Sequence, residues 1–280
     1  MATLGENRYG KSRVRLSRIT RHGDEHEFNE WTVRVLLEGD FGSSFRDADN
    51  GRILPTDTIK NTVYSVARAS NAVTIEEFAV ELGDYFLNNN AQASGALVEI
   101  EEKAWERIVV DGAAESTTFR LGGPEVHTVR AVRDQGREWS VRSGVDGLVI
   151  LKTTKSAFTG YIKDKLTTLK PATDRIFGTR ATATWEYATG SPDHAQVRAR
   201  IVAALLKEFA AHNSMSVQHT LFDMGKAALE AAPEIASITL TMPNLHHLLA
   251  DLSPFGQDNP NLIFVPIDEP HGYIEATIER

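Results

Sequence analysis

The stretch ILPTDTIKNTVY, Ile53 to Tyr64, opens as a strand ends and closes as a helix runs, with Thr56 and Asp57 at the join. Beyond the join Ile59, Val63 and Val66 recur at helical spacing, so a strand-to-helix corner is predicted here. The stretch also has an echo. Ile53, Leu54, Thr56, Thr62 and Tyr64 recur as Ile150, Leu151, Thr153, Thr159 and Tyr161, each 97 positions later.

Working outward, the order of elements repeats as well. Trp31, Val33, Val35 and Leu37 alternate with polar residues, the pattern of a strand with one buried face, and Arg13 to Ile19 reads as its partner. After the corner a second helix starts at the capping box Thr74-x-x-Glu77 and presents Phe78, Leu82, Tyr85 and Phe86 for burial. Strands return at Leu97 to Glu101 and run past Trp105. The first half is therefore strand, strand, helix, helix, strand, strand. In the second half RAVRDQGREWSVR reads as a hairpin around Gln135-Gly136, followed by the strand DGLVILKTT, a short helix near Gly160 to Leu166, and a strand over Ala181 to Tyr187. A long helix after Ser191-Pro192-Asp193 carries Val197, Ile201, Leu205 and Phe209 one turn apart. A second runs from about Gln218 until Pro233 ends it, and strands over Ile235 to Met242 and Leu262 to Ile278 close the chain. The repeat predicts an α+β fold of two tandem units, residues 1–136 and 137–280, each an antiparallel sheet backed by helices.

Composition narrows the classes. With 280 residues and 41% hydrophobic content the chain can bury a sizeable core. Its 38 acidic and 30 basic residues give a formal charge of -8, which argues against nucleic acid or an anionic membrane as the main partner. The absence of cysteine excludes disulfides, thiolate zinc sites, iron-sulfur clusters and a cysteine nucleophile. There is no apolar run long enough to cross a bilayer, no apolar leader segment at the N-terminus and no C-terminal Ser-Lys-Leu, so a cytoplasmic protein is expected.

The Thr56-Asp57 pair has two readings. Either residue is a good N-cap, because a side-chain oxygen can accept from an amide of the first helical turn. The same free amides also make a small anion site, suited to a flat anionic ligand. Among the nine histidines, His246 and His247 are neighbours on an expected strand and so face opposite ways. His22 and His26 flank a polar turn and His271 sits in a Pro-His-Gly turn, without clear ligand spacing, so no metal is expected.

LPTDTIKNTVY resembles a signature of the urate oxidase (uricase) family, and further stretches match that family in order. These are Tyr9-Gly10-Lys11 with Val14-Arg15-Leu16, LEGDF from Leu37, Asp49-Asn50, KSAFTGYIKDKLTTLKPATDRIFGT from Lys155 and SVQHTLFDMG from Ser216. MPNLHH from Met242, DLSPFG, DNPN and the closing EPHGYIEATI complete the series. The resemblance implies the tunnelling fold, with subunits assembling into a barrel, and a homotetramer whose active sites lie at subunit interfaces. It implies oxidation of urate by dioxygen without a cofactor. A pterin-acting enzyme of the same fold is the alternative, but such sites anchor the ring with a glutamate where Gln218 stands here. A purine-binding protein without turnover is another, which would need a broken proton relay.

What the resemblance implies for residues follows chemical need. Arg175 supplies a fork of donors and Gln218 an amide that both donates and accepts, together gripping one edge of urate. Phe158 stacks on its face, Leu169 and Val217 line the site, and Asn244 faces dioxygen or water. From another subunit Thr56 and Asp57 meet the five-membered ring with their backbone amides. Lys11, Thr56 and His246 form a proton relay, in which a desolvated lysine takes a proton through the threonine hydroxyl. Leu245 and Leu262 stand where polar residues are more usual in the family.

Overall fold

A computed structural model describes residues 2–134, 136–188 and 192–280. The chain forms two compact units, Met1–Val145 and Asp146–Arg280. Gln135, at the expected hairpin, and Ser191, at the expected helix start, lie outside the described residues.

The first unit begins with a hairpin of β1 (Arg8–His22) and β2 (Glu25–Gly39). Its helices are a short α1 (Gly42–Arg46), α2 (Thr56–Ala69) and α3 (Ile75–Asn89); β3 (Ala93–Val110) and β4 (Ala113–Arg133) follow. The four strands pair antiparallel in the order β1-β2-β3-β4. One face is covered by the helices because the alternation of β2 turns Trp31, Val33, Val35 and Leu37 inward, where all four are fully enclosed. They meet Ile59 and Val63 of α2 and Phe78, Leu82 and Phe86 of α3 in one apolar cluster, with Trp31 stacked on Phe78 at 4.8 Å. Tyr85, expected in this face, points outward instead. The capping box at Thr74 forms as read: Thr74 Oγ1 accepts from the Glu77 amide and the Glu77 carboxylate accepts from the Thr74 amide.

In the second unit β5 (Ser140–Lys152), which carries the chain out of the first unit, leads to β6 (Phe177–Tyr187). The helices α4 (His194–Ala211) and α5 (Val217–Ala231) follow, then β7 (Ile235–Thr241), β8 (Asn244–Leu249), β9 (Phe264–Ile267) and β10 (Glu275–Glu279). β6, β7 and β10 are neighbours in that order, while β8 pairs with both β6 and β9. α4 buries Val197, Ile201, Leu205 and Phe209, as its periodicity predicts. Each such burial is worth about 1.5–3 kcal/mol, far above the tenths that helix propensity contributes per residue.

Three expectations fail here. Residues 153–176 contain no helix. Asp164 Oδ1 accepts from the Leu166 amide at 2.9 Å and from Thr167 Oγ1 at 2.9 Å, a local turn that competes with helical bonding. Gly160 has φ of +73°, and Ile162 and Leu166, 94% and 78% exposed, have no core face to pack on. Consequently the matched stretch Ile150–Tyr161 does not repeat the corner structure: the helices that repeat α2 and α3 in element order are α4 and α5, after the next strand. The repeat is one of element order, not of that alignment. Finally, Leu262 to Ile278 is not one strand but two, β9 and β10, with an irregular link between them.

Candidate active site

Seven of the expected residues come together in a single cleft of the second unit. A cavity of about 360 Å³ is lined by Phe158, Leu169, Arg175, Val217, Gln218, Asn244 and His246, among others. That volume lies in the range of small-molecule sites. The lining comes from four separated segments, and backbone bonds explain how they meet. The Phe158 amide donates to Ala172 O at 2.8 Å and the Ala172 amide returns the bond to Phe158 O at 3.1 Å. The Ala157 amide donates to Ser214 O at 2.7 Å, which fixes the aromatic segment beside the start of α5. There Ser216 caps the helix by accepting from the His219 amide at 3.1 Å, so Val217 and Gln218 are the first helical residues and face the cleft. On the far side the Asn244 amide donates to Gly272 O at 2.9 Å, and β8 runs beside β6 with Thr179 opposite Asn244.

Within the cleft the guanidinium of Arg175 lies 5.3 Å from the Phe158 ring centroid, a cation over an aromatic face. Arg175 Nε is enclosed and has no hydrogen-bond partner. Burial pulls the arginine below its ordinary pKa, although a guanidinium remains charged. A cation held in a half-buried cleft with a donor unspent is a ready receptor for an anion. Phe158 is itself stacked on Tyr161, with centroids 4.9 Å apart and planes 12° from parallel, and Tyr161 is tied down by its hydroxyl donating to Leu169 O at 2.6 Å. Tyr161 is thus a support of the aromatic platform that the sequence reading did not single out. Its place three residues after Phe158, in the same quoted stretch, was the available signal.

His246 is held below its ordinary pKa, first by burial and then by the positive charges of Arg175 and His271. It therefore stays neutral near pH 7 and can accept a proton. Asn244 Nδ2 lies 3.4 Å from His246 Nδ1 and can only donate, which favours the tautomer with hydrogen on Nε2. His247 turns to a different partner, donating from Nδ1 to Leu245 O at 3.3 Å.

The other expected residues, Lys11, Thr56 and Asp57, belong to the first unit and are grouped there. The corner is not capped as anticipated. Pro55 occupies the N-cap position of α2 and Thr56 is the first helical residue, so neither Thr56 nor Asp57 caps the helix with its side chain. The Asp57 carboxylate turns instead to Lys60 Nζ at 2.5 Å and Asn61 Nδ2 at 3.2 Å. Side chains cap α3, α4 and α5, but α2 has no side-chain cap bond, so its first amides are left to whatever arrives from outside. Thr56 and Asp57 are both exposed.

Lys11 is brought to this corner by an irregularity in β1. Lys11 pairs with Val35 but Val14 pairs with Val33, so β1 has one extra residue between them, and Arg13 takes a left-handed φ of +58°. Were alternation regular through these residues, Tyr9 and Lys11 would face away from Val14 and Leu16; the extra residue absorbs the odd spacing. With it they stand opposite Leu37 and Val35, on the helix-covered face. The Tyr9 hydroxyl accepts from the Leu54 amide at 2.8 Å, pinning the residues just before the corner. The Lys11 charge helps to hold the Asp57 carboxyl below its usual range, after the larger effect of Lys60. Gly10 is needed beside it, since a Cβ there would fall 1.9 Å from Val35 O.

Two antiparallel α+β units in tandem, one with a cleft that offers a guanidinium, an amide and an aromatic ring to a flat polar ligand, define a protein of the tunnelling-fold class. The uricase family model matches residues 7–132 and 141–275, and the chain belongs to the uricase family. It is 42% identical to a uricase of Arthrobacter globiformis over 277 residues, covering 99% of this chain and 90% of that protein. Identity to a uricase of Dictyostelium discoideum is 37% over 282 residues, covering 100% of this chain and 98% of the relative. The crystal structure of the Arthrobacter globiformis uricase superposes with a TM-score of 0.93 at 41% identity, covering 100% of this chain and 96% of that one.

Proposed function

We propose that the chain oxidises urate with dioxygen, giving 5-hydroxyisourate and hydrogen peroxide. The observation that carries this reading is the convergence of Phe158, Arg175, Gln218, Asn244 and His246 on one cleft sized for a small molecule. Urate is planar and anionic near neutral pH. Arg175, with an unspent donor, and the Gln218 amide suit its acceptor-rich edge, and Phe158 suits its face. Urate supplies both electrons, dioxygen accepts them with two protons to become hydrogen peroxide, and water adds a hydroxyl to the ring. The overall balance is urate, dioxygen and water to 5-hydroxyisourate and peroxide. Because the substrate is the reductant, no flavin, haem or copper is required. Lys11 receives a proton through Thr56, and His246 moves protons on the peroxide side of the ring. Asn244 faces the attacking oxygen species.

The reading further places Thr56 and Asp57 of one subunit against the cleft of another in a homotetramer. Two features support association: the amides at the start of α2 have no side-chain cap, and the large apolar side chains Ile162, Leu166, Phe255 and Leu262 are exposed on the single chain. No helix among the described residues is long and apolar enough to cross a membrane.

The deciding experiment incubates chelator-treated protein with urate in air while following urate's ultraviolet absorbance and peroxide. Loss of absorbance with stoichiometric peroxide is expected. Binding of urate without either change would leave a purine-binding protein in place of an enzyme.

A further inference from the structure

We propose that His212, His219 and Asp223 form a binding site for one zinc ion that locks the end of α4 to the start of α5. The proposal is independent of the urate cleft. His212 is the C-cap residue of α4, while His219 and Asp223 stand one turn apart on α5. Asp223 Oδ2 lies 3.3 Å from His212 Nδ1 and 3.3 Å from His219 Nε2. One ligand atom from each of the three residues falls within 4.8 Å of the others.

Two of the three separations, each 3.3 Å, match the demands of a tetrahedral ion. With bonds of about 2.0–2.2 Å, the ligand atoms of a tetrahedral zinc site are about 3.3–3.6 Å apart. Glu208 Oε1, 3.5 Å from His212 Nδ1, stands ready as a fourth ligand or as a partner for a bound water. Two imidazoles and one or two carboxylates are a donor set that suits zinc and disfavours magnesium.

Charge and burial point the same way. The ring centroids of His212 and His219 lie 4.5 Å apart, with both rings turned to the one Asp223 carboxylate. The His212 side chain is only 9% exposed, and its Nε2 is enclosed with no partner, so the polar contacts of that ring are all with this cluster. Asp223 and Glu208 carry two negative charges against one positive charge from Lys152, whose Nζ donates to the His212 carbonyl. A dication is therefore favoured there. His219 and Asp223 are 47% and 30% exposed, which leaves a path from solvent.

The test is titration of zinc chloride into EDTA-dialysed protein by calorimetry, with thermal melting in zinc and in EDTA alongside. Saturation at one zinc per chain and a higher midpoint in zinc are expected. His219→Ala and Asp223→Asn each remove a direct ligand, so each should raise the zinc Kd at least about tenfold and abolish the zinc-dependent rise. Both are partly exposed, so the fold is retained and circular dichroism of each variant should match the parent. Absence of saturable binding overturns the proposal, and so does equal zinc affinity in parent and variants. Urate turnover in EDTA is expected to persist, which separates this site from the proposed chemistry.

Discussion

Replacing Arg175 by alanine should weaken urate binding strongly while leaving the free chain as stable as before, or more so. The expected loss follows from removing the charged partner of a buried anion, worth about 2–5 kcal/mol. Arg175 is half-buried, so the low end applies: about 2 kcal/mol, or a roughly 30-fold higher Kd. In the empty cleft the balance is different. An enclosed Nε without a partner costs about 1–3 kcal/mol, whereas the contact over Phe158 returns about 0.5–1 kcal/mol. Truncation therefore removes a cost together with a smaller gain. Anaerobic calorimetry with urate measures the first quantity without turnover, and thermal melting of the ligand-free protein measures the second. A Kd within about threefold of the parent would refute the role of Arg175 in binding. A midpoint lower by more than about 4 °C, on the order of 1 kcal/mol or more for a chain of this size, would refute the reasoning about its unspent donor.

Other outcomes test separate parts of the molecule. Lys11→Met should abolish most turnover with little change in anaerobic urate affinity; full turnover would remove the lysine from the relay. Thr74→Ala removes the side-chain half of the capping box on α3 and should cost about 1 kcal/mol by chemical denaturation, since the Glu77 amide loses Thr74 Oγ1 while the Glu77 carboxylate keeps the backbone amide at position 74. His246 should show a pH signature. Its folded pKa lies below the ordinary value of about 6.5, so stability present above about pH 6.5 is lost as the pH falls toward and through the lower folded value. The stability gap between parent and His246→Gln should thus shift against the parent between about pH 6.5 and 5, and a gap that stays flat would count against a neutral, buried His246.

What the sequence revealed depended on whether the deciding interaction was local. The stripe Val197, Ile201, Leu205, Phe209 and the Thr74-x-x-Glu77 box are local patterns, and both formed as read. The segment 153–176 has helix-like spacing at Ile162 and Leu166, but spacing helps only where a core face exists to receive it, and none does. The cap at α2 was misplaced by one residue because Pro55 fits the position before a helix as well as Thr56 does. The cleft residues were legible through the resemblance, and the structure places seven of them side by side. The cluster of His212, His219 and Asp223 was not read, because its ligands come from two helices. Only the His219-x-x-x-Asp223 half of it is a sequence pattern.

The extra residue in β1 bears on how the chain tolerates change. Side chains alternate along a strand, so losing either Ser12 or Arg13 would set Lys11 and Val14 two positions apart, the regular spacing that still turns both toward the same face. What would go is the irregularity itself, together with the left-handed backbone at Arg13 and the local bend it brings. Facing at Lys11 is therefore insensitive to a one-codon deletion there, which would leave every residue named in the site unaltered. At this point along the chain, length can drift by one residue while the buried face is kept.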